Sequence, residues 1–343
     1  MGEPLLFSYA SADDPALRRI AIKTIERLTG QPRLKRMYLD NQRHPRAGET
    51  FWDAAVRQLE LQVDYDEARL RAIPAVGPVV IVANHPFGVL DGIVISHLVA
   101  KVRPDFKVLT NSVLCRAIEL RPYLLPIDFA QTPAALATNL RSRADALSWL
   151  CGGGVLVVFP GGAVATSARM FARHAVDPEW RLFAAKAIRR AQATVVPVFF
   201  EGQNSRLFQV ASHLSLTLRL SLLFNEVRNK IGSMVTVRIG APVTYAELSH
   251  VADRRVLADH LRRATYELGR PEGFRAVLHD PKRWRETQRV APRHRPGVEA
   301  VYRQSDHACA GYGRADLLRG PEQPAVSGRE PHQSDPAPVA PVQ

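Results

Sequence analysis

Residues 79–100 read VVIVANHPFGVLDGIVISHLVA: a run of branched apolar residues, a tight turn, then a second apolar stretch. The unbroken VVIVA (79–83) suits a strand buried on both faces, and Pro86 and Gly88 force a turn before a helix begins. Further apolar runs stand at FKVLT (106–110), VLVVF (155–159), TVVPVFF (194–200) and VTVRI (235–239), with a shorter one at YLLPI (123–127). The segments between them are long enough for helices. Strands alternating with helices predict an α/β fold, a mostly parallel central sheet flanked by helices. Helices near 245–248 and 254–268 are expected to close the domain.

The first fifty residues carry helical periodicity. Asp14-Pro15 has the form of an N-cap followed by a proline at the first helical position, and Leu17, Ile20, Ile25 and Leu28 recur before Gly30. Leu34, Met37 and Tyr38 mark a second helix. Thr50 caps a third, with Trp52, Ala55, Val56 and Leu59 on one face. The chain thus divides into a helical segment (1–49), a core domain (50–282) and a tail (283–343). The tail is rich in proline, glycine and polar residues and reads as disordered. HLSLTLRLSLLF (213–224) stays open. Its alternation suits a strand, while a helix would group Leu216, Leu220 and Phe224. Core packing is one reading of it; a membrane-facing patch flanked by Arg219 and Arg228 is the other.

Composition narrows the class. Of 343 residues, 46% are hydrophobic and 23% charged, enough to bury a substantial core. No run of about 18 apolar residues occurs, so no transmembrane helix is expected. The start, MGEPLLFSYASADD, has no basic segment followed by a long apolar run, so no secretory signal is expected either. Cys115, Cys151 and Cys309 are odd in number and lack CxxC pairing, which argues against a disulfide framework and fits a reducing cytosol. The net charge of +13, with an isoelectric point near 10.1, favours anionic partners. From Arg283 onward nine arginines meet seven acidic residues, so the charge belongs to the first 282 residues.

In open α/β sheets, sites gather beyond the carboxyl ends of strands, which is where His85 falls. An aspartate that accepts a hydrogen bond from one ring nitrogen fixes the tautomer and leaves the other nitrogen as a base, so Asp91 is a candidate partner. The alternative is that His85 caps the turn, Asp91 caps the helix, and the two never touch. A metal site of His85, Asp91 and His97 is disfavoured, since six residues turn a helix by about 240° and set Asp91 and His97 on different faces. CGGGVLVVFPGG lacks the phosphate-loop pattern, and no GxSxG elbow is present. Without a nucleophile, group transfer at this site would be direct.

NHPFGVLDG (84–92) resembles the first motif of the glycerolipid (lysophospholipid) acyltransferase superfamily, especially its bacterial hemolysin-like or ornithine-lipid-type members. That superfamily usually places four residues between His and Asp; here PFGVL makes five. VLVVFPGGAVATS (155–167) stands where the family carries FPEGTRS, and ATVVPVFFEGQNSRLF (193–208) resembles its later VPV strand. The resemblance covers roughly residues 50 to 270. It implies His85 as general base, Asp91 as its orienting partner, and substrate contacts from Asn84, Gly88, Gly161, Gly162, Asn204 and Arg206. The family's glutamate, threonine and arginine are here Gly161, Ala163 and Val164, which weakens the case for a glycerol phosphate acceptor. The glycine pair either brings backbone N–H groups to an oxyanion or head group or is a plain glycine turn after a strand. Arg116 lies near the family's second motif, and a solvated helix face is its plainer reading.

The resemblance implies an acyltransferase that moves a fatty acyl group from acyl carrier protein (acyl-ACP) or coenzyme A (acyl-CoA) to a lyso-lipid acceptor. It implies no metal and no cofactor beyond the thioester, and a peripheral place on the cytoplasmic face of an anionic membrane. A thioester hydrolase and a non-catalytic basic protein binding nucleic acid or anionic membrane are the alternatives. Nucleic acid is not expected, because only 7% of residues are aromatic and no zinc-finger or RNP-like string appears.

Overall fold

The computed structural model describes Ser8 and residues 15–130, 132–170 and 172–269. The tail expected at 283–343 lies outside the described residues. Nine strands occur among them: β1 (Gln62–Tyr65), β2 (Val79–Ala83), β3 (Phe106–Asn111), β4 (Leu124–Ile127), β5 (Val155–Val158), β6 (Thr166–Ser167), β7 (Ala175–Val176), β8 (Thr194–Phe200) and β9 (Met234–Ile239). Seven form one sheet in the order β1-β9-β8-β2-β5-β3-β4, while β6 and β7 pair as a separate antiparallel ribbon. Every pairing in the large sheet is parallel except β8 with β9. β2 lies at the centre, flanked by β5 and β8 in register at Val79↔Val155 and Val79↔Thr194.

The helices are α1 (Ala16–Leu28), α2 (Gln31–Arg43), α3 (Phe51–Gln58), α4 (Glu67–Arg71), α5 (Val89–Ala100), α6 (Pro133–Cys151), α7 (Phe183–Ala191), α8 (Arg206–Leu214), α9 (Leu216–Ser221), α10 (Leu223–Asn229), α11 (Tyr245–Leu248) and α12 (Arg254–Glu267). They cover both faces of the sheet, and β2 shows how. Val79, Ile81 and Ala83 face a core shared with α2, α3, α5 and α10. Val80 and Val82 face a second core built with α6, α7 and α12. A strand with both faces covered needs no polar alternation, which is why VVIVA is unbroken.

The start of α1 differs from the expectation, since Pro15 is itself the N-cap and Leu17, Ile20 and Leu28 are exposed; the later signals act as expected. Gly30, at φ 115°, ends the first and opens the second. Thr50 and Asp53 close a capping box on α3. Leu34 and Met37 of α2 pack into the first core, so these helices wall the sheet. The 213–224 stretch is helical, running from the end of α8 through α9 into α10. Leu222 and Leu223 are buried with Val164 and Phe208. Arg219 is buried too, its guanidinium donating to the Val164 carbonyl, so it does not flank an exposed patch.

Candidate active site

The turn after β2 is built by Asp91 as much as by Pro86 and Gly88. Asp91 is the third residue of α5 and fully buried. Its Oδ2 accepts the backbone N–H groups of Phe87 and Gly88, both at 2.9 Å. This caps the helix and pulls the turn tight. Gly88 has φ 84°, and a Cβ there would lie 3.1 Å from Leu223 and 3.2 Å from Val164. Conformation and space both require glycine at that position.

The same carboxylate meets the histidine. His85 Nδ1 stands 3.0 Å from Asp91 Oδ2. The contact falls short of hydrogen-bond geometry, and neither His85 Nδ1 nor the other carboxylate oxygen, Oδ1, has a hydrogen-bond partner among the described residues. Capping and histidine contact are thus one arrangement. Burial pushes the Asp91 carboxyl up from its ordinary range, against the pull of His85 and the two N–H groups. The imidazole lies against Phe159, ring centroids 4.2 Å apart, and its side chain keeps 19% exposure. With Nδ1 turned to Asp91, Nε2 is the nitrogen left to a substrate.

The carboxyl end of β5 packs beside this turn. The His85 carbonyl accepts the Ala165 N–H at 2.7 Å, and the His85 N–H donates to Asp177 Oδ1 at 3.0 Å. Gly162, at φ 66°, closes a turn by donating its N–H to the Phe159 carbonyl at 3.0 Å, so that N–H is already engaged. Gly161 is buried, and a Cβ on it would lie 3.0 Å from Asp177 Cβ. A glutamate at 161 would therefore crowd Asp177.

The remaining residues divide. Asn84 is buried and spans from β2 to β8, its Oδ1 accepting the Phe200 N–H at 2.7 Å and its Nδ2 donating to the Phe200 carbonyl at 3.0 Å. Its amide holds the sheet together beside the histidine. Asn204 is 2% exposed, and neither side-chain polar atom meets a partner among the described residues. Its loop lies close to the histidine turn, since a Cβ at Gly202 would sit 2.9 Å from the Phe87 ring. Arg206 is exposed and donates to the Ala172 carbonyl at 3.2 Å, while Arg116 donates to the Ser8 carbonyl at 2.7 Å. His97 turns away from Asp91 to Asp53, at 2.7 Å. Sequence reasoning missed Asp177, because VDPEW lies in an irregular stretch where Asp before Pro reads as ordinary turn chemistry.

A fold with helices on both faces of a mostly parallel sheet, and a carboxylate-held histidine at the carboxyl end of its central strand, defines a glycerolipid acyltransferase-like enzyme. Residues 39–271 match the model of the Acyltransferase family, and the chain belongs to that family, within the glycerolipid acyltransferase superfamily. Two curated relatives are each called lyso-glycine lipid O-acyltransferase. The one from Phocaeicola vulgatus is 22% identical over 274 residues, 78% of this chain and 94% of that protein. The one from Bacteroides thetaiotaomicron is 24% identical over 241 residues, 66% of this chain and 83% of that protein. Among solved structures, the 1-acyl-sn-glycerophosphate (LPA) acyltransferase PlsC from Thermotoga maritima aligns with a TM-score of 0.41 and 14% identity, over 78% of this chain and 85% of that chain.

Proposed function

We propose that this acyltransferase moves a fatty acyl group from acyl-ACP or acyl-CoA to a hydroxyl of a lyso-lipid, with His85 as general base and Asp91 as its orienting partner. The observation that carries this is the 3.0 Å approach of His85 Nδ1 to a buried carboxylate that two backbone N–H groups hold in place. Nε2 takes the proton of the acceptor hydroxyl as its oxygen attacks the thioester carbonyl carbon. The tetrahedral adduct then collapses, the C–S bond breaks, and the imidazolium returns the proton to the departing thiolate. Products are an ester and a free thiol, and no acyl-enzyme forms.

An apolar groove near this turn supports a place for the acyl chain. An open groove of about 100 Å³, it lies between α2, α3, α5 and α10, lined by Met37, Phe51, Leu59, Val89, Ile93 and Phe224 among others. Val89 follows the histidine turn directly, so a chain in the groove would lead toward His85. Mostly apolar walls suit an alkyl chain and little else.

A lyso-lipid acceptor fits the names of both relatives and the absence of the FPEGTR side chains. Purified protein given palmitoyl-CoA or palmitoyl-ACP should acylate lyso-glycine lipid at least about tenfold faster than glycerol 3-phosphate, a difference of roughly 1.4 kcal/mol in transition-state binding. Ile93→Trp, which fills the groove, should depress turnover of the long-chain donor. Equal turnover of both acceptors would defeat the acceptor assignment.

The protein is proposed to work at the cytoplasmic face of a membrane without spanning it. No described helix is long and apolar enough to cross one, and residues 1–282 carry +11. Each basic residue near an anionic surface contributes about 1 kcal/mol, screened within a Debye length. High salt should therefore release protein from liposomes containing anionic lipid, and neutral liposomes should hold it weakly. Removing residues 283–343 should change little. Loss of binding on that truncation would place the membrane contact in the tail instead.

A further inference from the structure

We infer that Asp177 is a second carboxylate of the site, a positioning residue that holds His85 by its backbone and steadies the imidazolium formed during transfer. The inference rests on the reading of His85 as the base.

Asp177 directly follows β7 and is 1% exposed. Its two carboxylate oxygens divide between the site and its support: Oδ1 accepts the His85 N–H and Oδ2 accepts the Trp180 indole N–H, each at 3.0 Å. Its backbone is fixed as well. The Asp177 N–H donates to the Tyr266 hydroxyl at 2.9 Å, and its carbonyl accepts from the Arg262 guanidinium at 3.3 Å. Trp180 and Arg262 are buried, and both Arg262 and Tyr266 come from α12. One residue thus ties the histidine turn, Trp180 and α12 together.

Asp177 packs closely against Gly161. A Cβ there would meet Asp177 Cβ at 3.0 Å and Oδ2 at 3.4 Å. The FPGGA loop carries no acidic side chain of its own, and Asp177, a short way along the chain, brings one beside it.

Two buried carboxylates therefore stand at His85, Asp91 at the imidazole and Asp177 at the backbone N–H. Of the charged groups facing this pair, Asp91 lies on α5 and Arg262 on α12; Tyr266, also on α12, is kept neutral by burial, which raises its pKa well above the usual range. Burial pushes the Asp177 carboxyl up, and the His85 N–H, Trp180 and Arg262 pull it back toward the charged form. A negative charge on Asp177, held at the His85 backbone in a poorly solvated site, would favour positive charge on the imidazole during transfer. A base that must be neutral to act loses activity on the acid side of its titration. Deleting the anion should therefore move that acid limb to lower pH.

The test is the pH profile of kcat/KM for wild type, Asp177→Asn, Asp177→Ser and Trp180→Phe, with palmitoyl-CoA and lyso-glycine lipid and with thermal melts alongside. Asn can still accept the His85 N–H, and Ser, which is shorter, places no amide against the indole N–H should Asn fail to fold. Each should lower kcat/KM about tenfold or more and shift the acid limb down by about half a pH unit or more. Trp180→Phe, which keeps the charge, should lower the melting temperature without moving the limb. Neutral variants that fold, whether active or impaired, with the limb unmoved would overturn the inference. His85→Ala in the same assay separates the two readings: if it stays active, the base assignment fails, and if it is inactive while the limb is unmoved, only Asp177's role fails.

Discussion

His85→Ala is expected to lower acyl transfer by about two to four orders of magnitude, the usual loss when a general base is removed. The fold should survive. The His85 N–H bond to Asp177 and the carbonyl bond from Ala165 belong to the backbone and persist in alanine. The imidazole itself contributes only its contact with Asp91 and its packing on Phe159. Circular dichroism and a melting curve near those of wild type, together with the lost turnover, are the expected pair of results. Activity within a factor of a few of wild type would falsify the catalytic assignment.

Asp91→Asn is expected to harm both activity and stability, for one geometric reason. The wild-type Oδ2 accepts the N–H groups of Phe87 and Gly88 and lies 3.0 Å from the imidazole Nδ1. An asparagine that turns its oxygen to the two N–H groups presents only a neutral dipole to the forming imidazolium. One that turns its NH₂ there sets donor against donors inside the protein. Replacing the orienting aspartate of a histidine base by asparagine has cost about four orders of magnitude in the serine-protease triad, so a loss of about 10²–10⁴ in kcat is expected here. Leaving buried N–H groups badly paired costs about 1–3 kcal/mol, so the melting temperature should fall as well. A variant with wild-type kcat and only reduced stability would reduce Asp91 to a helix cap.

Strands buried on both faces announce themselves, and VVIVA, VLVVF and TVVPVFF all lie where their apolar runs stand. The edge strand β1 did not, because QVDY is short and half polar and gains its place from pairing with β9 alone. The reversal of β9 against β8 was equally hidden, since an apolar run carries no direction. The 213–224 stretch shows the limit of periodicity: a leucine at every second position fits either period, and burial of Arg219 and Leu223 in a helical turn decided it. At the site, His85 and Asp91 were legible because one short turn carries both. Asp177 reaches the same place from 92 residues away, through a two-stranded ribbon with no sequence signature. Asn84 was legible as a site residue, but its amide proves to be engaged with Phe200 of β8, a contact spanning 116 residues.

The most direct measurement follows the thiol and the lipid together. Purified protein is given palmitoyl-CoA with and without lyso-glycine lipid, and free thiol and lipid mass are recorded over time. Acyl transfer predicts thiol release that depends on the acceptor, matched one to one by acceptor molecules heavier by one palmitoyl group. Thiol released at the same rate without acceptor, and no acylated lipid, would contradict the account and make the protein a hydrolase.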